Sequence, residues 1–238
     1  MMEKGGGRLL LYFGMILSAG IIISSFVLAS AIGTWKSHSR FVSVKGFAEK
    51  VVEADMVIWP VNFKITDNSL TVLYDKVNTQ SELIRKFLAD GGLDENDISF
   101  DQPKITDLET NQYRETQVKF RYIAEACVRV RTTKTAAVSE LISKSGDLLK
   151  QGVALAESYD KHTEYLYTAL NDIKPEMIKK ATENARKAAL QFALDSGSKV
   201  GKIRNATQGY FQIENLDSGS PRQKKIRVVI SVEYFLND

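Results

Sequence analysis

From Leu9 to Gly33 the chain reads LLLYFGMILSAGIIISSFVLASAIG, about 25 residues without a charge. That exceeds the roughly 20 needed to cross a bilayer as a helix. After Arg40 apolar and polar positions alternate as in an ordinary folded domain. The pattern divides the chain into a short tail (1–8), a transmembrane helix or signal anchor (9–33), a linker (34–40) and one body (41–238). Lys4 and Arg8 before the span balance Lys36 and Arg40 after it, so basic flanks alone set no orientation. Trp35 falls where an interfacial aromatic is expected. A second reading stays open: Ala29-Ser30-Ala31 has the small-x-small form of a signal cleavage site, although the apolar run is long beside the roughly 7–15 residues of a signal core. Either way the body is expected outside the cytoplasm.

The body opens with Phe41, Ser43, Lys45 and Phe47 alternating against Val42, Val44, Gly46 and Ala48, a strand. Gly46 in its middle marks a bulge or a close backbone approach. Val57, Trp59, Val61, Phe63 and Ile65 make a clearer second strand, with Pro60 pointing to an edge position or bulge. Asp67 or Asn68 then caps a helix whose apolar stripe is Leu70, Leu73, Val77, Ile84 and Phe87, closed by Gly91-Gly92. Ile98 to Ile105 reads as a strand broken near Pro103. Asp107 to Glu115 reads as a hairpin connection, and Val118 to Arg131 as a long strand. Thr133 caps a second helix carrying Val138, Leu141, Ile142, Ser145, Leu148 and Leu149 on one face and ending at Gly152. Val153 to Glu157 and Glu164 to Leu170 read as short strands.

A third helix is expected from Pro175 to Gly197, with Ile178, Ala181, Ala185, Ala188 and Phe192 as a narrow buried stripe. Its opposite face carries Lys179, Lys180, Glu183, Arg186 and Lys187. Small residues on the buried face let a helix lie close to a sheet. Val200 to Ile213 and Ile226 to Leu236 close the body as two strands joined by a mobile loop, Glu214 to Arg222. The order predicts an α+β fold: an N-terminal transmembrane helix, then a largely antiparallel sheet with about three covering helices in repeated ββα-type units.

Composition narrows the chemistry. The 238 residues hold 32 basic and 29 acidic side chains, net +3, scattered rather than striped, which excludes nucleic acid as a partner. Lys224, Lys225 and Arg227 form the densest basic group and read as a solvated strand end. Cys127 is the one cysteine, so no intrachain disulfide forms. It shares a strand side with Glu125 and Arg129, read as a structural ion pair, and is expected to be a passive small residue. A reactive thiol and an intermolecular disulfide are the alternatives. His38 belongs to the linker. His162, flanked by Asp160 and Glu164, is too sparse a set for a metal site, and Tyr159, Tyr165 and Tyr167 read as packing or surface residues. There is no P-loop, dinucleotide fingerprint, paired-Cys site or Gly-x-Ser-x-Gly elbow. No residue is nominated as catalytic, cofactor-binding or metal-ligating, and no cofactor is expected.

Several stretches in the right order carry a resemblance. Val42-Ser43-Val44-Lys45-Gly46-Phe47-Ala48-Glu49-Lys50-Val51, followed by Ala54-Asp55-Met56-Val57, resembles the opening V-x-G-x-G-x-x-x-x-x-P-D stretch of the SIMPL family of bacterial envelope proteins. It departs at Phe47-Ala48, where a second glycine is usual, and at Ala54, where proline is usual. Gly92-Leu93-Asp94-Glu95-Asn96-Asp97-Ile98 is similar to the family's link after its first helix, and Tyr122 to Val130 to its central strand. Ala181 to Gly201, with Ala185, Ala188, Ala189, Gly197 and Val200-Gly201, resembles its third helix and turn. The likeness spans Phe41 to Phe235.

It implies an exported or membrane-anchored protein of the bacterial inner membrane, single-pass with its body in the periplasm, or secreted there after cleavage near Ala31. It also implies a link to oxidative or envelope stress, and the family brings no established catalytic residues. The expected function is therefore non-catalytic: self-assembly as a homo-oligomer or binding of another envelope protein, with the membrane engaged through residues 9–33. Two alternatives are a small-molecule or peptide binding module with the loop Glu214 to Arg222 as lid, and a peroxide scavenger working through Cys127.

Overall fold

The computed structural model describes residues 6–37, 40–110, 119–157 and 160–237; within the first helix, side chains are described from 12 to 27. That helix, α1, spans Gly6–Ser37. Where side chains are described, 12–27 in this helix, no stretch of helix is long and apolar enough to cross a membrane. The side chains of Trp35 and Ala29-Ser30-Ala31, and the whole of His38, lie outside the described residues.

The body is α+β. Its strands are β1 (Phe41–Glu53), β2 (Met56–Asp67), β3 (Ile98–Phe100), β4 (Lys104–Asp107), β5 (Tyr122–Thr132), β6 (Glu164–Leu166), β7 (Lys199–Gln208), β8 (Gln212–Asn215) and β9 (Gln223–Asn237). Its helices are α2 (Leu70–Asp90), α3 (Thr135–Lys144), α4 (Gly146–Lys150) and α5 (Leu170–Asp195). The single sheet expected from the sequence is two. One has the order β1-β9-β7, with β8 also on β9; the other has the order β3-β5-β2-β6, with β4 also on β5. The registers of β2 with β5 and β6, of β3 and β4 with β5, and of β7 with β9 are antiparallel. The strands β1 and β2, adjacent in the chain, fall in different sheets. At the bend between them Ala54 donates its amide to Arg222 and Asp55 to Leu166, so each strand takes other partners.

The chain divides into two compact units, one of Met1–Glu49, Pro175–Phe211 and Arg227–Asp238, the other of Lys50–Lys174 and Gln212–Ile226. In the second, the register pairs Val57 with Thr132, Trp59 with Val130, Val61 with Val128, Phe63 with Ala126 and Ile65 with Ala124. Period two on both strands therefore puts one apolar set on one face. That face packs on Leu73, Val77, Ile84 and Leu88 of α2, on Val138 and Leu141 of α3, and on Leu148 of α4. Phe63, Leu73, Ile84 and Leu88 are fully buried, each worth about 1.5–3 kcal/mol of transfer energy.

Several boundaries differ from the sequence reading. Ser69 is the N-cap of α2, without a side-chain cap bond; Asp67 instead accepts from the Ser69 amide and from Lys76. Leu70 is exposed and Leu88 takes the buried place. Gly91 caps the helix and Gly92 adopts φ +86°, the left-handed region that favours glycine. The second helix breaks at Ser145 into α3 and α4, which leaves Leu149 exposed. Lys134, not Thr133, is the N-cap of α3. Residues 153–157 make a single bridge, Phe63 to Leu155, rather than a strand. The expected hairpin connection lies outside the described residues from 111 onward, as does Val118, and β5 begins at Tyr122. The expected strand Val200 to Ile213 is interrupted after Gln208, giving β7 and β8.

Pro60 makes geometric sense. Even-numbered residues of β2 turn their amides away from β5: Lys64 donates to Ala154, and Asn62 accepts from Ala156. Pro60 shares that direction, between the three-residue β6 and the 154–156 segment, where the missing donor breaks no ladder bond.

The helix α5 begins at Leu170, before Pro175, which lies inside it. The added turn has a distant cap. The Asp55 carboxylate accepts from the amides of Thr168 (2.8 and 2.9 Å) and Ala169 (2.9 Å), placing an anion at the helix start.

In the first unit, α5 buries Met177, Ala181, Ala185, Ala189 and Ala193, one residue in every four. Such a row is the inclined i±4 ridge of a helix. Phe192, expected in the stripe, sits one residue off this row and is 60% exposed. Val44, Ala48, Val228, Ile230, Val232 and Tyr234 are the buried strand residues. Gly46 explains the alanines. A Cβ there would overlap the Ala181 carbonyl oxygen and lie 2.5 Å from the Ala185 amide nitrogen. The close approach expected of this glycine is therefore real, and its obstruction is backbone, which cannot swing aside.

Gly46→Ala should cost about 3 kcal/mol of stability, read from urea unfolding. Gly146→Ala, whose new methyl meets nothing within 4 Å, should change stability by no more than about 0.5 kcal/mol.

Candidate binding site

The helix-free face of the β3-β5-β2-β6 sheet is polar because its strands alternate. Asn62 and Lys64 of β2 stand opposite Cys127 and Glu125 of β5, and Lys104 of β4 stands opposite Glu125 on the other side. Two irregular segments close over this floor. One runs from Asp101 to Lys104, tied by the Asp101 amide to the Cys127 carbonyl at 3.0 Å. The other is made by residues 156–157 and 160–161, tied by the Ala156 amide to Asn62 and by the Lys161 carbonyl, which accepts from Asn62 Nδ2 at 3.2 Å. Between them is a cavity of about 340 Å³ lined by Asn62, Lys64, Gln102, Lys104, Glu125, Cys127, Ala156, Glu157, Asp160 and Lys161, with backbone from Phe63 and Ala126.

Its electrostatics are mixed. Lys64 Nζ meets Glu125 Oε1 at 2.6 Å. Asp101 Oδ2 accepts from Arg129 Nη2 at 2.6 Å and from Lys161 Nζ at 2.8 Å. Burial pushes the Asp101 carboxyl up, but the Lys161 hydrogen bond and charge, with Arg129, more than offset it and leave the group below its ordinary value of 3.8. Cys127 is buried beside Asp101. Burial, helped by the Asp101 charge and opposed by Lys161 and Arg129, pushes its thiol up to about 11. At neutral pH the thiolate that reacts with peroxides or disulfides is then about one part in ten thousand.

Some residues singled out in the sequence are brought together here and others are not. Cys127, Glu125 and Arg129 do share one side, but Glu125 and Arg129 pair with Lys64 and Asp101 rather than with each other. Asp160 lines the cavity. His162 stands 3.5 Å from Glu164 on the surface. Among the described residues no three His, Cys, Asp or Glu side chains gather to hold a metal ion. Tyr165 is buried, its hydroxyl 2.9 Å from Ser139 Oγ, and Tyr159 lies outside the described residues.

The loop Glu214 to Arg222 takes no part in the cavity. Arg222 instead pairs with Glu53 at 3.6 Å, and Leu216 bonds to Gln223. Lys224 is not a solvated strand end: it is buried, bonded to Asn215 Oδ1, and desolvation lowers its pKa. Sequence reasoning missed Asp101 and Lys161, which lie 28 and 60 residues from their partners, beyond the reach of any local spacing.

A family model described as SIMPL, Protein of unknown function (DUF541), matches residues 42–234. No curated protein matches the chain.

Asp101 ties the 101–104 wall to both Arg129 of β5 and Lys161, so its charge should be visible in stability. A carboxyl held below 3.8 stabilises the fold fully above that value, and the contribution is lost as the pH falls through the lower folded value. Asp101→Asn should cost about 2 kcal/mol at pH 7. Between about pH 4 and pH 2 the unmutated chain should lose stability more steeply than the variant, as measured by urea unfolding.

Proposed function

The chain belongs to the SIMPL family, and from that footing we propose a non-catalytic envelope protein that works by association, with copies of itself or with another envelope protein, in the setting of oxidative or envelope stress. Its N-terminal helix holds it to the bacterial inner membrane, with the body in the periplasm. Support for the anchor is local. The helix α1 runs 32 residues, about 48 Å at 1.5 Å per residue, against a hydrocarbon core of about 30 Å. Residues 9–33 carry no charge, and Phe13, Ile16, Leu17, Ile22 and Phe26 are exposed. Cleavage near Ala31 would release the same body to the same compartment.

The observation that carries association is the edge strand β7. It ends the order β1-β9-β7, so among the described residues its far edge has no strand partner. Its first half is blunted as natural edges are: Lys199, Lys202 and Arg204 stand there, and the register with β9 shifts twice, between Val200 and Ile203 and between Ile203 and Asn205. The second half, Asn205 to Gln208, is regular, uncharged and exposed. Gly209 donates to Val229 of β9, so by alternation the amides of Ala206 and Gln208 face outward, ready for a partner strand. The high pKa of Cys127 weighs against the peroxide-scavenging alternative.

Native mass of the full chain in mild detergent tests the reading. An oligomer, or a stable complex with a second envelope protein, is expected. Ala206→Pro, which removes an outward donor and spares the β9 ladder, should dissociate it without changing the circular dichroism. A strictly monomeric chain that captures no envelope partner contradicts the reading.

A further inference from the structure

We propose that the end of the first unit where α5 runs out is a membrane-contact surface, which seats Leu190, Phe192 and Leu194 in the headgroup layer of the bilayer holding α1. The inference rests on the anchor proposed above and goes beyond it, because a linker can also leave an anchored body clear of the lipid.

The first observation is an exposed apolar cluster that the core does not use. The buried row of α5 is complete without it, ending on Ala189 and Ala193. Leu190 and Leu194, one turn apart, flank that row on one side and Phe192 flanks it on the other. Leu190 is 50% exposed, Phe192 60% and Leu194 74%. Earlier on the same helix the exposed positions include Lys179, Lys180, Glu183, Arg186 and Lys187. The exposed surface thus changes from charged to apolar within one turn, between Lys187 and Leu190. Water gives no reason for that change. A lipid surface at the helix end does, with apolar side chains for the headgroup layer and basic ones just behind them for the phosphates.

The second observation says what covers the cluster. After α5 the chain turns at Gly197, φ +67°, and the next side chain, Ser198 Oγ, accepts from Arg40 Nη2 at 3.3 Å. The Arg40 carbonyl accepts from the Leu236 amide at 3.0 Å. Arg40 is therefore fixed at the end of α5. It also follows Ser37, the last residue of α1, by three residues, so at most about 11 Å of chain separates them. Ser37 itself stands about 6 Å of helix beyond Gly33, where the uncharged run ends. The last turns of α5 are thus tethered close to the point where the anchor leaves the lipid. So short a tether makes docking on the bilayer an intramolecular event at high local concentration, an advantage that no partner arriving from solution has.

Two further placements agree. Phe41, next to Arg40, is exposed at the same end on the helix-free side of the strands, so apolar side chains border this end on both faces. The regular half of β7 lies away from it. Asn205 is six residues, about 20 Å, along β7 from Lys199, which pairs with Asn237 at the seated end. The association edge is left clear of lipid.

The test uses the full chain with Cys127→Ser, carrying one nitroxide label at a time at Leu190→Cys, Leu194→Cys or Lys179→Cys, in vesicles of phosphatidylethanolamine and phosphatidylglycerol. Flotation with the vesicles checks the anchor. In the floating chain, oxygen, which concentrates in lipid, should relax the labels at Leu190 and Leu194. A water-soluble nickel chelate should fail to relax them. The label at Lys179 should behave in the opposite way, and diluting the chain with more lipid should change neither result. A label at Ser196→Cys should be shielded from nickel as well. Adding Leu190→Gln, Phe192→Gln and Leu194→Gln should abolish that shielding while flotation and melting temperature stay the same, since all three side chains are exposed.

Nickel relaxation at Leu190 and Leu194 equal to that at Lys179, in a chain that floats, overturns the proposal and leaves the anchor standing. Shielding from oxygen and nickel alike that fades on dilution assigns the cluster to a second copy of the chain and overturns it too. A chain that does not float removes the anchor, and this inference falls with it.

Discussion

Backbone meets backbone where α5 crosses β1, and the first unit is built around that approach. With no side chain on Gly46 and only a methyl on Ala181 and Ala185, the helix settles where a single added carbon would overlap a carbonyl oxygen. Close packing needs volume as well as proximity. The volume comes from the strands, where Val228, Ile230, Val232 and Tyr234 fill the buried face under a row of alanines. The arrangement leaves the helix's long side chains free. Lys179, Lys180, Arg186 and Lys187 are exposed, and so are Leu190, Phe192 and Leu194 beyond them. The opposite face of the strands is stabilised differently, by Arg204 over the Phe41 ring at 4.0 Å and Arg227 over the Phe47 ring at 5.4 Å.

In the second unit alternation does the separating. Odd residues of β2 and even residues of β5 make one apolar face for three helices, so the remaining positions can only make a polar one. That polar face is not simply wet. The segments around Asp101 and Lys161 fold over it, bury Cys127, and bring a carboxylate between two cations. The same enclosure that makes a cavity also disarms its thiol, because a low-dielectric neighbourhood beside a carboxylate favours the protonated form.

How much of this could be read from the sequence depended on the range of the interaction. Val57 to Ile65 announced its strand, its buried face and the anomaly at Pro60, because period two is local. Gly46 announced a close approach, and the alanines of α5 announced a thin helix. Which alanines were buried was misread: an irregular three-and-four spacing put Phe192 inside, whereas the helix packs on every fourth residue. The partners of β1 and β2 could not be read locally, because at the bend between them Ala54 and Asp55 bond to Arg222 and Leu166, more than a hundred residues away. Asp55 was noticed as part of a family motif, but its work as the cap ahead of α5 is a contact between residues 113 positions apart. The cavity was invisible for the same reason, being made where Asp101 and Lys161 converge on a strand that mentions neither.

Amide hydrogen exchange on the intact chain in detergent tests most directly the claim that a glycine and a row of alanines make a true core. Amides of Ala181, Ala185, Val228 and Val232 should be among the slowest in the chain and should exchange together, as one cooperative element does. Exchange of these amides at the rate of exposed loops, with Val61 and Val128 still protected, would mean that α5 rests on its sheet without being held by it, and would contradict the account.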